Sequence, residues 1–296
     1  CDKPFFLDAF FFSCYNELTQ KNKYKHYMMR KVCKDKHEVK CMLPAERRQF
    51  ILNELYKNKA VTVNDLAQQL DVTTMTIRRD LQHLEEGGLV EKSHGGAVLV
   101  ESSVKEATYR NRKLVHIEEK RRMAAAALPL IESSMSIYLD AGTTNFELAE
   151  LMAKQRWDNL TVVTNDLAIA QVLTPVMGLY VILLGGHIDV ESSSTCGVLA
   201  TNMVRAMHFD ICFLGTQAIT PDWRIMTANA EKIDVKRACL QASDKVVLLA
   251  DHSKFKKHKL YYILDLWDMD VLVSDYQASA EEASLFEEHQ VQFIRV

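Results

Sequence analysis

The sequence predicts a two-domain protein of the α/β class, for three reasons. Between residues 45 and 99, two helical patterns separated by a short turn are followed by a pair of short strand patterns. Beyond residue 114, near-continuous apolar strands alternate with helices, as in a mostly parallel sheet that helices cover on both faces. The chain has 296 residues, 48% of them hydrophobic, which is enough material for about two separate cores.

Residues 1–41 differ in composition from the rest of the chain. Phenylalanines are clustered without a period at Phe5, Phe6 and residues 10–12, and a basic, mixed stretch follows them. The apolar patch is short and interrupted, which argues against a signal peptide. We expect an unstructured or non-native extension, with Met42 as the natural start. A basic arm that lies on nucleic acid is the less favoured alternative.

Residues 73–88 form the most distinctive helical pattern of the chain. At helical period Ile77, Leu81 and Leu84 share one face, so these side chains are expected to be buried. Thr73 can cap the start of this helix, and a pair of glycines ends it. The pattern therefore predicts an amphipathic helix with a narrow apolar stripe.

The opposite face of this helix carries Met75, Arg79 and Gln82 instead of the Glu/Lys pairs of an ordinary surface helix. Hydroxyl, amide and guanidinium groups can bond phosphates and base edges, and the major groove accommodates one helix. A solvated amphipathic helix without a function is the alternative. The helix at residues 64–70 precedes a two-residue turn, which gives the helix-turn-helix arrangement whose second helix enters the groove.

Residues 89–99 predict two short strands around a turn, which form a wing beside the helices. Lys92 and His94 lie where a wing could contact backbone phosphates. A winged helix-turn-helix DNA-binding domain is thus expected at residues 42–99. Its candidate DNA-contacting residues are Thr73, Thr74, Met75, Thr76, Arg78, Arg79, Gln82, Lys92 and His94.

The overall composition limits the kind of protein further. A net charge of −3 argues against indiscriminate nucleic-acid binding, so DNA affinity has to come from a local cluster. The seven cysteines are scattered, which favours reduced thiols in a cytoplasm over disulfides or a zinc site. No apolar run is long enough for a membrane span. We expect a cytoplasmic protein without a metal, a cofactor or a membrane partner.

A Ser-rich, charged linker is expected at residues 100–113, followed by an effector-sensing α/β domain at residues 114–296. In such sheets ligands bind outside the carboxyl ends of the strands. Glycines, hydroxyls, an amide and a lysine recur at those ends, a set that suits a small anionic polyol better than a series of ordinary turns. These candidates are Asp140, Gly142, Thr143, Thr144, Thr164, Asn165, Gly185, Gly186, Gly197 and Lys254.

Both halves of the chain resemble the DeoR family of bacterial transcription regulators. The first half does so through Val72-Thr-Thr-Met-Thr-Ile-Arg-Arg-Asp-Leu81 and His94-Gly-Gly-Ala97. The second does so through Asp140-Ala-Gly-Thr-Thr144, Thr164-Asn165, Leu184-Gly-Gly186 and Asp251-His-Ser-Lys-Phe255. The resemblance implies a fold similar to ribose-5-phosphate isomerase and a sugar-phosphate effector.

The resemblance also implies roles for individual residues of the second domain. Asp140 and Asn165 would bond sugar hydroxyls, whereas Thr143, Thr144 and Lys254 would hold the phosphate. An acidic contact is expected from Glu231, with Asp234 as the alternative register.

The expected function is that of a repressor of a sugar-uptake or sugar-catabolism operon, released from operator DNA by a phosphorylated sugar. A homodimer or homotetramer is expected because two recognition helices must reach two half-sites. One alternative is a sugar-phosphate isomerase or CoA-transferase with an accessory DNA-binding domain, for which Asp140, Glu231 and Asp251 are the available carboxylates. A second alternative is an activator, because the sequence does not determine the sign of regulation.

Overall fold

The computed structural model describes residues 42–86, 88, 90–99 and 108–296. The expected extension at residues 1–41 and most of the expected linker, residues 100–107, lie outside the described residues. Among the described helices, none combines the length and the apolar character that crossing a bilayer requires.

The first domain is a winged helix-turn-helix. Its elements in chain order are α1 (Pro44–Asn58), β1 (Ala60–Thr62), α2 (Val63–Gln69), α3 (Thr74–Glu86), β2 (Val90–Ser93) and β3 (Gly96–Leu99). The three strands form an antiparallel sheet in the order β1, β3, β2. The first residue of β3 has to be glycine, because a Cβ at Gly96 would lie only 2.0 Å from the carbonyl oxygen of Val61. The sequence-based prediction of two helices, a tight turn and a wing is confirmed.

Helix α3 packs through the apolar stripe that its periodicity predicts. Ile77, Leu81 and Leu84 are all buried, and they share one core with residues of α1 and α2. On the same side, Asp80 is also buried and receives two hydrogen bonds from Arg47 of α1, from Nε and, at 3.3 Å, from Nη2. Apolar contacts and a buried ion pair therefore fix α3 against α1 together.

The part of the expected linker that the structure describes contains a short helix, α4 (Tyr109–Leu114). The next residue, Val115, is buried in the core of the first domain. At the other end of α4, the Tyr109 amide donates to the carbonyl of Glu191 in the second domain, at 2.7 Å. The Lys113 ammonium lies 3.5 Å from the centre of the Phe146 ring. Helix α4 thus contacts both domains.

The second domain is an α/β fold around one parallel sheet. Its elements in chain order are α5 (Ile117–Ala127), β4 (Ser136–Leu139), α6 (Thr143–Met152), β5 (Leu160–Thr164), α7 (Leu167–Leu173), β6 (Leu179–Leu183), β7 (His187–Asp189), β8 (Ser194–Cys196), α8 (Val198–Arg205), β9 (Ile211–Gly215), β10 (Ala218–Ile219), β11 (Arg224–Thr227), α9 (Glu231–Gln241), β12 (Val246–Leu249), β13 (Tyr261–Asp265), β14 (Val271–Ser274), α10 (Ala280–Glu288) and β15 (Gln292–Arg295). The main sheet has seven described strands in the order β15, β14, β12, β9, β4, β5, β6.

Two cores cover the two faces of this sheet, because successive side chains of a strand point to opposite sides. In β4, Ile137 and Leu139 pack with α5, α6 and α7, whereas Tyr138 packs with α8, α9 and α10. The predicted arrangement of a mostly parallel sheet with helices on both faces is therefore confirmed.

Several short antiparallel strands were not predicted from the sequence. They are the hairpin of β7 and β8 and the small sheet of β10, β11 and β13. Three of these strands have only two or three residues, which is too short for an alternating pattern to be recognised.

Replacing Arg47 by Met is expected to lower the free energy of unfolding of the first domain by about 3–5 kcal/mol, because the buried Asp80 carboxylate loses its cation. The double substitution Arg47→Met with Asp80→Leu should recover most of this loss, since an apolar pair of similar volume can replace a buried ion pair. Urea unfolding measures both effects. Arg79→Met is the matched control, because Arg79 is exposed. Equal losses for Arg47→Met and the control would contradict the prediction.

Candidate DNA-binding surface and effector site

The exposed face of α3 presents the residues that the sequence suggested for DNA contact. Thr73, Thr74, Arg78, Arg79 and Gln82 are exposed, as is Met75, which is 69% accessible; Thr76 is half-buried. The Thr73 hydroxyl accepts a hydrogen bond from the amide of Thr76 at 3.3 Å, as expected for a residue that caps the helix start. This face is therefore free to approach a duplex.

The wing is fixed to the end of α3 by Lys92. The Lys92 ammonium lies 2.7 Å from a carboxylate oxygen of Glu85 and also donates to the side-chain carbonyl of Gln82. Its backbone amide donates to Glu85 as well, at 3.3 Å. His94 is exposed in the turn between β2 and β3. The predicted wing contacts thus lie beside α3, with Lys92 and Gln82 bonded to each other.

The candidate effector site lies where the order of the sheet reverses. From β4 the chain proceeds outward through β5 and β6, and then crosses to β9, β12 and β14 on the other side. The carboxyl ends of β4 and β9 therefore border a crevice of the kind in which ligands bind in open α/β sheets.

A buried ion pair occupies this crevice. Asp140, directly after β4, accepts a hydrogen bond from the amide of Gly215 at 3.0 Å and another from the Lys236 ammonium. Lys236 also donates to the Gly215 carbonyl at 2.7 Å, and both charged side chains are less than 10% exposed. The pair joins β4, β9 and α9 at one point.

The loop between β4 and α6 is held by the next strand. Asn165 accepts from the amide of Ala141 at 2.9 Å, and Asp166 accepts from the amide of Gly142 at 3.2 Å. Burial raises the pKa of Asp166 to about 6, although three backbone amides act in the opposite direction. Helix α6 then begins at Thr143 without a side-chain cap. The amides of its first turn lack intrahelical acceptors and are suited to bind an anion.

Cations surround a buried carboxylate at the end of β12. Lys254 lies 3.3 Å from Asp251, which is 1% exposed. Burial acts to raise the pKa of Asp251, but Lys254 and other neighbouring cations lower it more, so that it stays below its usual value. Burial lowers the pKa of the neighbouring Lys120 to about 7, and Lys254 contributes in the same direction. Lys120 also donates to the backbone carbonyls of Arg112 and Val115, at the end of α4.

The remaining predicted residues lie at or near the ends of β4, β5, β6 and β8. Thr164 is buried and donates to the Leu139 carbonyl at 2.7 Å, and the Asn165 amide donates to the Thr195 carbonyl at 3.1 Å. Gly185 bonds the sulfur of Met203, and Gly197 begins α8 with a φ of 85°. Thr143 is buried, Thr144 is half-buried, and Gly142 precedes them as the residue before α6.

The expected acidic contact lies at the start of α9. The Glu231 carboxylate accepts a hydrogen bond from the Cys196 thiol at 2.9 Å and lies 3.1 Å from Nδ1 of His187. The alternative residue, Asp234, is exposed one turn later. The structure thus connects Glu231 to the hairpin of β7 and β8.

Three residues of the site were missed in the sequence: Lys236, Lys120 and Asp166. Each belongs to a helix or to a helix start, where charged residues usually face solvent. The neighbouring sequence therefore did not indicate that these three side chains are buried. For Lys236 the sequence offered one weak indication. It lies nearly one and a half turns after Glu231 and therefore on a different face of α9 from that exposed residue.

Both domains match families of known proteins. Residues 47–103 match the DeoR-like helix-turn-helix domain, and residues 115–276 match the DeoR C terminal sensor domain. The HTH-type transcriptional regulator GolR of Listeria innocua is 34% identical over 234 residues, which cover 79% of this chain and 91% of that protein. The transcriptional repressor AccR of Agrobacterium fabrum is 32% identical over 231 residues, which cover 78% and 89%.

Among solved structures, ribose 5 phosphate isomerase A from Neisseria gonorrhoeae is similar with a TM-score of 0.34 and 18% identity, over 46% of this chain and 52% of that one. The two family matches cover both described domains, and the relatives are matched over nearly their full length. The chain therefore belongs to the DeoR family of helix-turn-helix transcriptional regulators.

Proposed function

We propose that this regulator is a cytoplasmic repressor of a sugar-uptake or sugar-catabolism operon, and that a phosphorylated sugar releases it from operator DNA. One observation carries the proposal. The uncapped start of α6, the Asp140–Lys236 pair and the cations around Asp251 all lie at the carboxyl ends of neighbouring strands of the same sheet. Donors for an anion and polar groups for hydroxyls are thus available together.

In this proposal the phosphate binds the first turn of α6 and Lys254. Thr143 and Thr144 supply amide and hydroxyl donors, and Lys254 supplies the charge. The sugar hydroxyls then face Asp140 and Asn165, which the neighbouring strand ends already hold in place. A ligand without a phosphate would leave the cationic part of the site unused.

On the DNA side, α3 enters the major groove while the wing lies along the backbone. Arg79 and Gln82 reach base edges or phosphates from the exposed face of α3. A homodimer or homotetramer places two such helices on half-sites about one helical turn, or a multiple of it, apart. The repressor sense follows the relative AccR, whose name describes a repressor.

Helix α4 offers a route by which the effector changes DNA affinity. Lys120 contacts the end of α4 and stands beside Lys254, whereas Val115 packs in the DNA-binding domain. An anion near Lys120 stabilises its charged form and changes its interaction with α4. The effector then needs only to bind the arrangement with low DNA affinity more tightly than the arrangement with high DNA affinity. The ratio of these two effector affinities sets the largest change in DNA affinity that the effector can cause.

Catalysis is less consistent with this geometry. A general base needs a carboxylate with a free lone pair and a pKa near the working pH. One oxygen of Asp140 accepts from both the Lys236 ammonium and the Gly215 amide, and neighbouring cations hold the pKa of Asp251 below its usual range, which makes Asp251 a poor base. The same groups suit binding better than proton abstraction.

Arg79→Ala is expected to weaken operator binding by about 10-fold or more and to reduce the salt dependence of binding, because a guanidinium contact to DNA is lost. Fluorescence anisotropy with an operator fragment, at several salt concentrations, measures both. Arg205→Ala is the control, because Arg205 is an exposed arginine on α8 of the other domain. Undiminished affinity in Arg79→Ala would show that α3 does not carry recognition.

Lys254→Ala is expected to reduce the affinity for a phosphorylated sugar by about 10-fold or more, since a charge-assisted contact is lost. A panel of sugar phosphates, screened by thermal stabilisation, identifies the ligand first. Lys256→Ala is the matched control, because Lys256 is 63% exposed and pairs with Glu282. Equal ligand affinity in wild type and Lys254→Ala would remove Lys254 from the site.

The pH dependence of stability should report the environment of Lys120. Its folded pKa of about 7 lies below the reference value of 10.5, so between these pH values the unfolded chain binds a proton that the folded chain does not. The free energy of unfolding should therefore rise with pH in this window, with a contribution of at most about 1.4 kcal/mol per pH unit.

Lys120→Met removes this titration, so the difference in unfolding free energy between wild type and variant should move in favour of wild type from pH 7 to pH 9. Urea unfolding at several pH values measures the difference. A constant difference across this range would contradict a depressed Lys120 pKa.

A further inference from the structure

Three metal-ligating side chains meet beside the candidate effector site. His187 begins β7, Cys196 ends β8 and Glu231 begins α9. Nδ1 of the histidine, Sγ of the cysteine and a carboxylate oxygen of the glutamate all lie within 4.8 Å of one another. Cys196 is buried, whereas the other two side chains are open to solvent.

We propose that His187, Cys196 and Glu231 form a binding site for a divalent transition-metal ion of the Zn²⁺ type. Thiolate, imidazole and carboxylate are the three ligand classes that Zn²⁺ uses in proteins. Three protein ligands leave a fourth position for water or for a ligand group, as in zinc sites that are not purely structural.

The spacing of the three atoms comes close to that of a tetrahedral centre once Glu231 moves outward by a few tenths of an ångström. Zn–S of about 2.3 Å and Zn–N and Zn–O of about 2.1 Å place the ligand atoms about 3.4–3.6 Å apart. The observed separations are 3.8 Å between Sγ and Nδ1, 2.9 Å between Sγ and Oε2, and 3.1 Å between Nδ1 and Oε2. The two shorter separations both involve Glu231, whose half-exposed side chain can rotate outward to admit an ion.

The backbone already holds the three ligands in place. Gly186 has a φ of 154°, and a Cβ there would lie 2.6 Å from the Cys196 carbonyl oxygen, so the two strands approach closely only because this residue is glycine. The amide of Glu231 donates to Asn229 at 2.9 Å, and Asn229 donates to Asp189 of β7 at 3.1 Å. A metal ion would therefore add one more connection to those that already join the hairpin to α9.

The same three residues do not resemble a catalytic triad. In a triad, the base uses one ring nitrogen for the nucleophile and the other for the orienting carboxylate. Here the thiol and the carboxylate both approach Nδ1 of His187. Three ligand atoms that approach one another in this way are arranged as they would be around a metal ion.

Cobalt is a suitable probe because tetrahedral Co²⁺ with a thiolate ligand has visible d–d bands and a thiolate-to-metal charge-transfer band. The full chain, reduced and freed of metal by a chelator, is titrated with Co²⁺ and then with Zn²⁺. We expect about one Co²⁺ bound per chain with both bands, and their loss when Zn²⁺ displaces it.

Cys196→Ser should abolish the charge-transfer band. His187→Ala and Glu231→Gln should each weaken Co²⁺ binding by roughly 100-fold, because the loss of a ligand costs at least as much affinity as the loss of a residue that hydrogen-bonds a ligand. Circular dichroism of each variant verifies folding. His208→Ala is the matched control, because exposed His208 also lies against a carboxylate, Asp244 at 3.0 Å, without a neighbouring thiol in the described structure.

A wild-type protein without the charge-transfer band would overturn the proposal, as would a band that persists in Cys196→Ser, since another cysteine would then be the ligand. Operator binding and sugar-phosphate binding are measured through Arg79 and Lys254. Failure of the metal site therefore leaves the proposed regulatory function untouched.

Discussion

The second domain depends on the buried ion pair between Asp140 and Lys236. Two charges removed from water are tolerated only when they pair closely and their remaining hydrogen-bonding capacity is satisfied. Asp140 and Lys236 contact each other directly. Gly215 supplies a further hydrogen bond to each of them, because its amide donates to Asp140 and its carbonyl accepts from Lys236. Replacing either Asp140 or Lys236 by a neutral residue would leave the other charge buried without a partner. The carboxyl ends of β4 and β9 are therefore held together at the point where the sheet order reverses.

The first domain uses the same device for a different purpose. Apolar packing of Ile77, Leu81 and Leu84 decides which face of α3 is buried. The ion pair between Asp80 and Arg47 has one geometry, with two hydrogen bonds between the guanidinium and the carboxylate. The ion pair thus adds a directional contact to the apolar packing that leaves the candidate DNA-contacting face of α3 exposed.

The predictability of each part of the structure follows from how local its cause is. The helices and main strands were recognisable because their apolar periodicity is contained within a few consecutive residues, as in Leu160–Thr164 and Leu167–Leu173. Partners distant in the sequence were not. Asp140 and Lys236 are 96 residues apart in the sequence. The sequence around a lysine in an amphipathic helix does not show that the lysine pairs with a buried carboxylate. The glycine and hydroxyl pattern predicted a candidate effector site, whereas the arrangement of charges around that candidate site is visible only in the fold.

Helix α4 connects the two domains. The helix has six residues, so isolated it would be unstable, and its conformation depends on what contacts its ends. One end bonds the second domain through Tyr109, and the other leads into the core of the first domain through Val115. The Lys120 ammonium bonds carbonyls at that second end, where a helix terminus favours positive charge, yet burial disfavours the charge. Opposing influences of this kind leave the protonation of Lys120 sensitive to a nearby anion. The conformation of this short helix is therefore coupled to the contacts at both of its ends, and a change in the charge of Lys120 would alter the contacts at one of them.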